Sequence, residues 1–310
     1  MRVSIRDGYG KGLEKIENEN VVVLDADVWE STRSKKFMDK HPERFFSVGI
    51  SEADMLASAA GLASCGKIPF ATSYSCFLIG KAYDQVLVSI AYPNANVRIV
   101  GSHAGLATGE DGATAQMLSD ISAMRAVPNI AIISPADAIE AEKATLYLVD
   151  HKGPVYLRLA RPDTETIFDK NYNFEFGKAV QLKEGDKVSV FATGAVVPET
   201  VQAVKNLEND GITVDLFNIH TIKPLDKEAI VNSAKKTGLV ITIEDHNVIG
   251  GLGSAVSEVV SEKNAGKVIR IGLNDRFHES GSTQELYAKY YLDAKGIEKQ
   301  IRKVVQWKYF

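Results

Sequence analysis

A chain of 310 residues, 25% charged and 45% hydrophobic, has globular composition and enough length to bury two cores. Its net charge is −4, and Lys and Arg are scattered singly or in short pairs such as Lys35-Lys36 and Lys235-Lys236, which gives no electrostatic basis for binding nucleic acid or an anionic membrane. Two cysteines, Cys65 and Cys76, are too few for a disulfide framework and lack metal-ligand spacing, so two free thiols in a reducing cytoplasm are expected. The N-terminus, MRVSIRDGYGKGLEKI, lacks the apolar core of a signal peptide, and no segment approaches a membrane span.

In chain order, residues Ile5 to Ile16 read as a helix, Asn18 to Asn20 as a turn and Val21 to Leu24 as a buried strand. That strand ends in Asp25-Ala26-Asp27, the kind of loop at which open α/β sheets bind ligands. Ser31 and Thr32 read either as helix caps or as substrate contacts. Strands are predicted over Arg44 to Ile50, Ile68 to Thr72, Val97 to Val100, Ile130 to Ile133 and Val155 to Leu159. Between them lie helices over Ala53 to Ser64, Lys81 to Ala91, Ala115 to Arg125 and Pro135 to Val149. The alternation implies an α/β fold with a mainly parallel sheet flanked by helices. The pattern weakens from Pro162 to Gly185, with a hairpin expected around Glu184-Gly185-Asp186. A second α/β unit follows, with strands at Val188 to Thr193, Val214 to Asn218, Val240 to Glu244 and Val268 to Gly272. Its helices run over Pro198 to Asp210, Leu225 to Thr237 and Gly253 to Glu262, and helices fill the tail.

Chemistry concentrates between Arg44 and Asp111. Glu52 stands where an apolar run (Phe45, Phe46, Val48, Ile50) gives way to a small-residue helix, beside both backbone dipoles and apolar side chains, where its protonation can be tuned. Ser51-Glu52-Ala53-Asp54 is equally an ordinary helix start, with Ser51 as N-cap. Tyr74 and Phe77 lie three residues apart, a spacing usual in cores. Gly105, Gly109 and Gly112 punctuate a loop carrying His103, Glu110 and Asp111. An acid, an aromatic platform and a glycine-rich polar loop suit a flat heterocyclic cofactor and a sugar-like substrate. Arg6 alone reads as a surface residue, and Arg161 as a linker anchor.

Three ordered segments, Gly49 to Met55, Tyr74 to Phe77 and Ser102 to Gly112, are similar to the C-terminal half of transketolases, closest to the split form in which two polypeptides share the work. The resemblance covers almost the whole chain. It implies a pyrimidine-binding domain over residues 1–165, a linker over 166–186 and a transketolase C-terminal domain over 187–310. The cofactor it implies is thiamine diphosphate. Glu52 would bond the pyrimidine ring nitrogen and favour the imino tautomer that removes the C2 proton, with Tyr74 and Phe77 lining the ring and Asp27 near the thiazolium. His103 would contact substrate and polarise the donor carbonyl or hold its hydroxyls, and Asp111 would hold an acceptor hydroxyl. Glu110 would brace the loop or a subunit interface. Arg6 and Arg161, with Ser31, would bind the sugar's phosphate. His246 would be structural or interfacial.

Two departures stand out: Ala115 replaces a histidine or glutamine that contacts substrate, and Asp54 replaces an amide-bearing pair. A replacement for the lost contact would come from Gln116 or another subunit, or the substrate differs. The family's G-D-G motif and the asparagine segment after it are missing. The resemblance therefore assigns no metal ligand to this chain, and places Mg²⁺ and the diphosphate mainly on an N-terminal partner subunit in an α2β2 assembly. The activity implied is transfer of a two-carbon ketol unit from a ketose to an aldose phosphate. The alternatives are the β subunit of a 2-oxo acid dehydrogenase, which shares the glutamate and a segment like Thr221 to Asp226, and a transketolase for a sulfonated or branched ketose. The acidic pair of SHAGLATGEDG separates the first alternative, since the dehydrogenase subunits lack it. Deoxyxylulose phosphate synthase shares much of the pattern but is usually one long chain. A non-enzymatic protein keeping the fold would not need Glu52 or the aromatic pair.

Overall fold

The computed structural model describes residues 1–307. Its first sheet has seven strands, in spatial order Thr221–Lys223, Ala131–Ile133, Val155–Arg158, Arg98–Ser102, Ile68–Tyr74, Val21–Asp25 and Phe45–Ser47. All neighbours are parallel except the outermost, Thr221–Lys223, which arrives from the second half of the chain and pairs antiparallel with Ala131–Ile133. The segments VVVLD and RIVGS are buried at every position. Continuous apolar runs of this kind belong to sheets covered on both faces.

The second sheet runs Lys267–Leu273, Leu239–Asn247, Val188–Thr193, Val214–Asn218 and Val180–Lys183, the last pair antiparallel and the rest parallel. The α/β class with two mainly parallel sheets is therefore as the sequence implied. The two halves are also stitched together. Asp137 Oδ2 accepts the amides of Ile167 and Phe168, and Glu140 accepts from Tyr172 Oη and Asn218 Nδ2.

Several local expectations change. The hairpin at Glu184 to Asp186 does not form, because Val180–Lys183 and Val188–Thr193 lie on opposite sides of Val214–Asn218. Gly185 passes over Val214 instead; a Cβ there would sit 2.4 Å from that residue's backbone. The helix expected from Ala115 begins only at Asp120. The reason is that Met117 is held extended against Ala104, with Gly105 N donating to Met117 O at 2.9 Å. Over Lys81 to Ala91 the buried face of Ala82, Val86 and Ile90 is as the spacing implied, but the backbone winds as a short helix at Tyr83–Gln85 and then a π-helical stretch at Val86–Ala91. The strand at Arg44 to Ile50 shrinks to Phe45–Ser47, and Ser51 makes no side-chain cap to the helix Glu52–Ser64.

Helix Ile5–Glu14 presents glycines to helix Ala138–Tyr147, which brings the two backbones close. A Cβ on Gly8 would lie 2.0 Å from the Ala138 carbonyl oxygen. Among the described residues no helix is long and apolar enough to cross a membrane. Cys65 is exposed and Cys76 half-buried, and both are free.

Overpacking at such a contact costs about 1–3 kcal/mol, so Gly8→Ala is expected to lower the urea unfolding midpoint clearly. Gly61→Ala, in a helix with open space around it, should instead raise it, by up to about 1 kcal/mol. Equal midpoints for the two variants would contradict the helix contact.

Candidate active site

The parallel strands of the first sheet all end on one edge, and the loops leaving that edge carry the groups of interest. After Val21–Asp25 the chain knots around Asp25. Its Oδ1 accepts Val28 N at 2.7 Å and its Oδ2 accepts the hydroxyls of Thr32 at 3.0 Å and Ser34 at 2.8 Å. Thr32 is thus spent on the loop itself. The knot places the Ser31 carbonyl against Arg6 and turns Arg33 into the left-handed region at φ 70°. Arg33 Nε then pairs with Asp7 at 2.8 Å, and its Nη1 donates to the Glu30 carbonyl.

Arg6, in the first turn of its helix, is buried. Its guanidinium donates to Ser4 Oγ, to the carbonyls of Ser31 and Arg161, and to His103 Nε2 at 3.2 Å. Among the described residues no carboxylate forms an ion pair with it. Burial, with Arg33 and Arg161 nearby, brings its pKa down to about 10, so it stays charged at neutral pH. A guanidinium can only donate, so His103 Nε2 accepts and the ring proton sits on Nδ1, 2.9 Å from Ser102 Oγ. Burial and the three arginines hold His103 down to about 3, and the ring is neutral. Tyr74 stacks on it, centroids 3.8 Å apart. Arg6, Glu30, Ser31, Arg33, Tyr74, His103, Asp111 and Arg161 together line a cavity of ≈ 270 Å³. Arg161 is braced by Thr108 O at 2.6 Å and Glu110 at 2.8 Å, with Asp111 at 3.6 Å.

Beside this cavity, Glu52 is buried, and its carboxylate meets Lys81 Nζ at 2.7 Å and Ser73 Oγ at 3.3 Å. Phe77 is exposed rather than part of a core, and its ring lies parallel to Tyr74 at 5.7 Å between centroids. Asp27 is exposed on the same sheet edge, outside the arginine cavity. Gln116 is turned inward, its amide donating to the carbonyls of Gly109 and Glu279, so it does not stand in for the side chain lost at Ala115. His246 is fully buried near Asp120 and Glu244, held down to about 4 mainly by burial. Among the described residues no group of three His, Cys, Asp or Glu converges to hold a metal ion.

The structure thus brings Arg6, Ser31, Tyr74, His103, Asp111 and Arg161 together and sets Glu52 and Phe77 beside Tyr74's strand end. Arg33, Glu30 and Lys81 were not singled out in the sequence. Lys81 follows Phe77 by four residues, the spacing of neighbours on one helix face. A larger cavity of ≈ 410 Å³, lined in part by Arg2, Glu199 and Tyr287, holds none of these groups. Chemistry rather than size marks the site.

Residues 2–166 match the family model described as the transketolase pyrimidine binding domain, and residues 177–297 the transketolase C-terminal domain. The chain belongs to the transketolase family. It is 44% identical over 302 residues to a protein of Methanocaldococcus jannaschii described as a transketolase C-terminal section, covering 96% of this chain and 95% of that one. It is 40% identical over 294 residues to a 6-deoxy-6-sulfo-D-fructose transketolase subunit of a Clostridium species, covering 95% and 91% respectively. A solved structure described as a split gene transketolase, an inactive β4 tetramer, superposes with a TM-score of 0.91 at 40% identity over 98% of this chain and 99% of that one. Transketolase relatives of nearly this chain's full length therefore include sections and subunits rather than whole enzymes.

The depressed His103 pKa has a definite sign. The unfolded ring binds protons below 6.5 and the folded ring only near 3, so its contribution to stability is complete above 6.5 and is lost as pH falls through that window. A histidine NMR titration should give His103 a midpoint near 3, moved upward by Arg161→Gln, which removes one of the nearby cations. A wild-type midpoint near 6.5 would contradict the buried arginine contact.

Proposed function

We propose that this chain is the C-terminal subunit of a split transketolase, moving a two-carbon ketol unit from a ketose to an aldose phosphate with thiamine diphosphate. The observation that carries the reading is Glu52: a buried carboxylate beside an exposed aromatic face, at the sheet edge where open α/β sheets take ligands. These residues fit the pyrimidine half of the coenzyme, since Glu52 Oε1 has only the long Ser73 contact and retains acceptor capacity. When bound, the coenzyme supplies a carbon nucleophile and an electron sink for breaking and making the ketose carbon–carbon bond. Glu52 would hold a proton at the pyrimidine ring nitrogen, and Phe77 and Tyr74 would line the ring, aromatic contact being worth about 1 kcal/mol beyond burial. Asp27, exposed on the same edge, would lie near the thiazolium. Mg²⁺ and the diphosphate fall to the partner subunit.

Arg6 supports the substrate reading. A buried cation without a carboxylate partner that lines a cavity with two further arginines can take an anion, and the phosphate or sulfonate end of a sugar would supply one, shared with Arg161, Arg33 and Ser31. His103 is neutral and its Nε2 lone pair is taken by Arg6, so it would meet a sugar hydroxyl by that hydroxyl displacing the Arg6 contact, and it is no proton donor. Asp111 takes an acceptor hydroxyl. The methyl group of Ala115 and the sulfosugar relative together favour a second version of the same reading, in which the ketose is a specialised one. Exposed Phe46, Ile50, Phe77 and Val88 around the helix that begins at Glu52 support closure of the site by other subunits, in an assembly with two copies of each chain. The family's work in carbohydrate metabolism and a cytoplasmic location complete the proposal.

The chain alone should be inert with thiamine diphosphate, Mg²⁺ and a ketose phosphate, and should turn over when mixed with the partner subunit. Glu52→Gln should cut that turnover by about 10²–10⁴-fold with an unchanged circular dichroism spectrum. Activity of the single chain, full activity of Glu52→Gln, or turnover of a 2-oxo acid instead of a ketose would each sink the assignment.

Replacing Arg161 by Lys keeps the charge but removes the planar fork. It should raise KM for a phosphorylated aldose by about tenfold while leaving KM for its unphosphorylated counterpart nearly unchanged. An equal effect on both substrates would remove Arg161 from the anion site.

A further inference from the structure

The loop with Glu110 and Asp111 belongs to the first domain by sequence, yet much of its backbone is held from the second. Asp245, fully buried in the strand Leu239–Asn247, accepts Leu106 N on Oδ1 at 2.8 Å and Ala107 N on Oδ2 at 3.1 Å. Tyr287 Oη donates to Oδ2 at 2.9 Å, and Arg158 Nη2 donates to the Asp245 carbonyl at 2.9 Å. Thr283 Oγ1 donates to the Ala107 carbonyl, and Gln116 bridges Gly109 to the Glu279 carbonyl.

The three glycines of the loop follow from this docking. A Cβ on Gly105 would lie 2.4 Å from Asp245 Oδ2, one on Gly109 3.2 Å from the Gly281 carbonyl, and one on Gly112 2.4 Å from Ser280 Oγ. All three also have positive φ, at 87°, 74° and 78°. The pattern that reads in sequence as a substrate loop is thus equally a record of close approach by the second domain.

We infer that Asp245 is a positioning residue: its carboxylate fixes the amides of Leu106 and Ala107, so the second domain sets where Glu110 and Asp111 stand against Arg161 and thereby tunes affinity for the anionic sugar. The sugar part rests on the ketol-transfer reading; the clamp itself does not. An amide at this position keeps one acceptor but turns an NH2 group toward a second N–H donor, which breaks the two-handed grip while conserving shape.

The test compares wild type with Asp245→Asn in the full chain and in the reconstituted pair. Amide exchange in peptides spanning residues 104–112 should quicken about tenfold in the variant, while peptides spanning 188–193 and 21–25 stay protected. In the pair, KM for a phosphorylated aldose should rise about tenfold with kcat held within about twofold. Unchanged exchange over 104–112, or acceleration spread evenly over the chain with kcat falling, would overturn the inference. Should the variant fail to fold, Tyr287→Phe, which removes only the hydroxyl on Oδ2, carries the same comparison with a smaller shift in the same direction. If wild type itself proves inert with its partner, the ketol-transfer reading fails while the exchange result still decides the clamp.

Discussion

Arg6 is a buried guanidinium whose partners are all neutral: two backbone carbonyls, a serine hydroxyl and an imidazole nitrogen. Taking a charge out of water without an opposite charge is costly, and proteins tolerate it where hydrogen bonds are complete or where a ligand brings the counter-charge. Arg98 is the instructive contrast. It is buried more deeply, but donates to the carbonyls of Leu148, His151 and Gly153 and to Asn96 Oδ1. That arginine ties a loop to the sheet. Arg6 instead opens onto a cavity, with Arg33 and Arg161 beside it, and the same fork fixes the His103 tautomer and the Ser31 carbonyl. The rest of the site is arranged around it.

The two sheets divide the work unevenly. The first supplies the cavity, the Glu52 carboxylate and the aromatic faces from the ends of its parallel strands, while the second contributes no side chain to the arginine cavity. It nonetheless reaches the site through backbone, and it lends the strand Thr221–Lys223 to the first sheet's edge. Glu52 lies next to exposed apolar side chains and a half-exposed Lys81 that neutralises it in the chain alone.

Much of this could be read from the chain. Buried strands announced themselves as unbroken apolar runs, and the site loops follow directly from strand ends such as Val21–Asp25 and Arg98–Ser102. Asp25 reads in sequence only as part of a strand-end loop; its role of gathering Val28, Thr32 and Ser34 depends on a turn geometry that residue types alone do not specify. Arg33 was hidden for a similar reason: only a left-handed backbone at that position swings it toward Asp7 and the cavity. The hairpin at Glu184 to Asp186 failed because local turn chemistry was overridden by a strand pairing some thirty residues away in sequence. The glycines at Gly105, Gly109 and Gly112 were legible as a functional loop, but their contact with the second domain is tertiary and has no local signature.

The most direct test is a crystal structure of this chain assembled with its N-terminal partner, thiamine diphosphate, Mg²⁺ and a sugar phosphate. The account predicts the Glu52 carboxylate within hydrogen-bonding distance of the pyrimidine ring nitrogen, Phe77 against the ring, and the sugar's anionic group on Arg6 and Arg161. A pyrimidine ring bound away from Glu52, or a sugar phosphate that leaves Arg6 without a counter-charge, would contradict it.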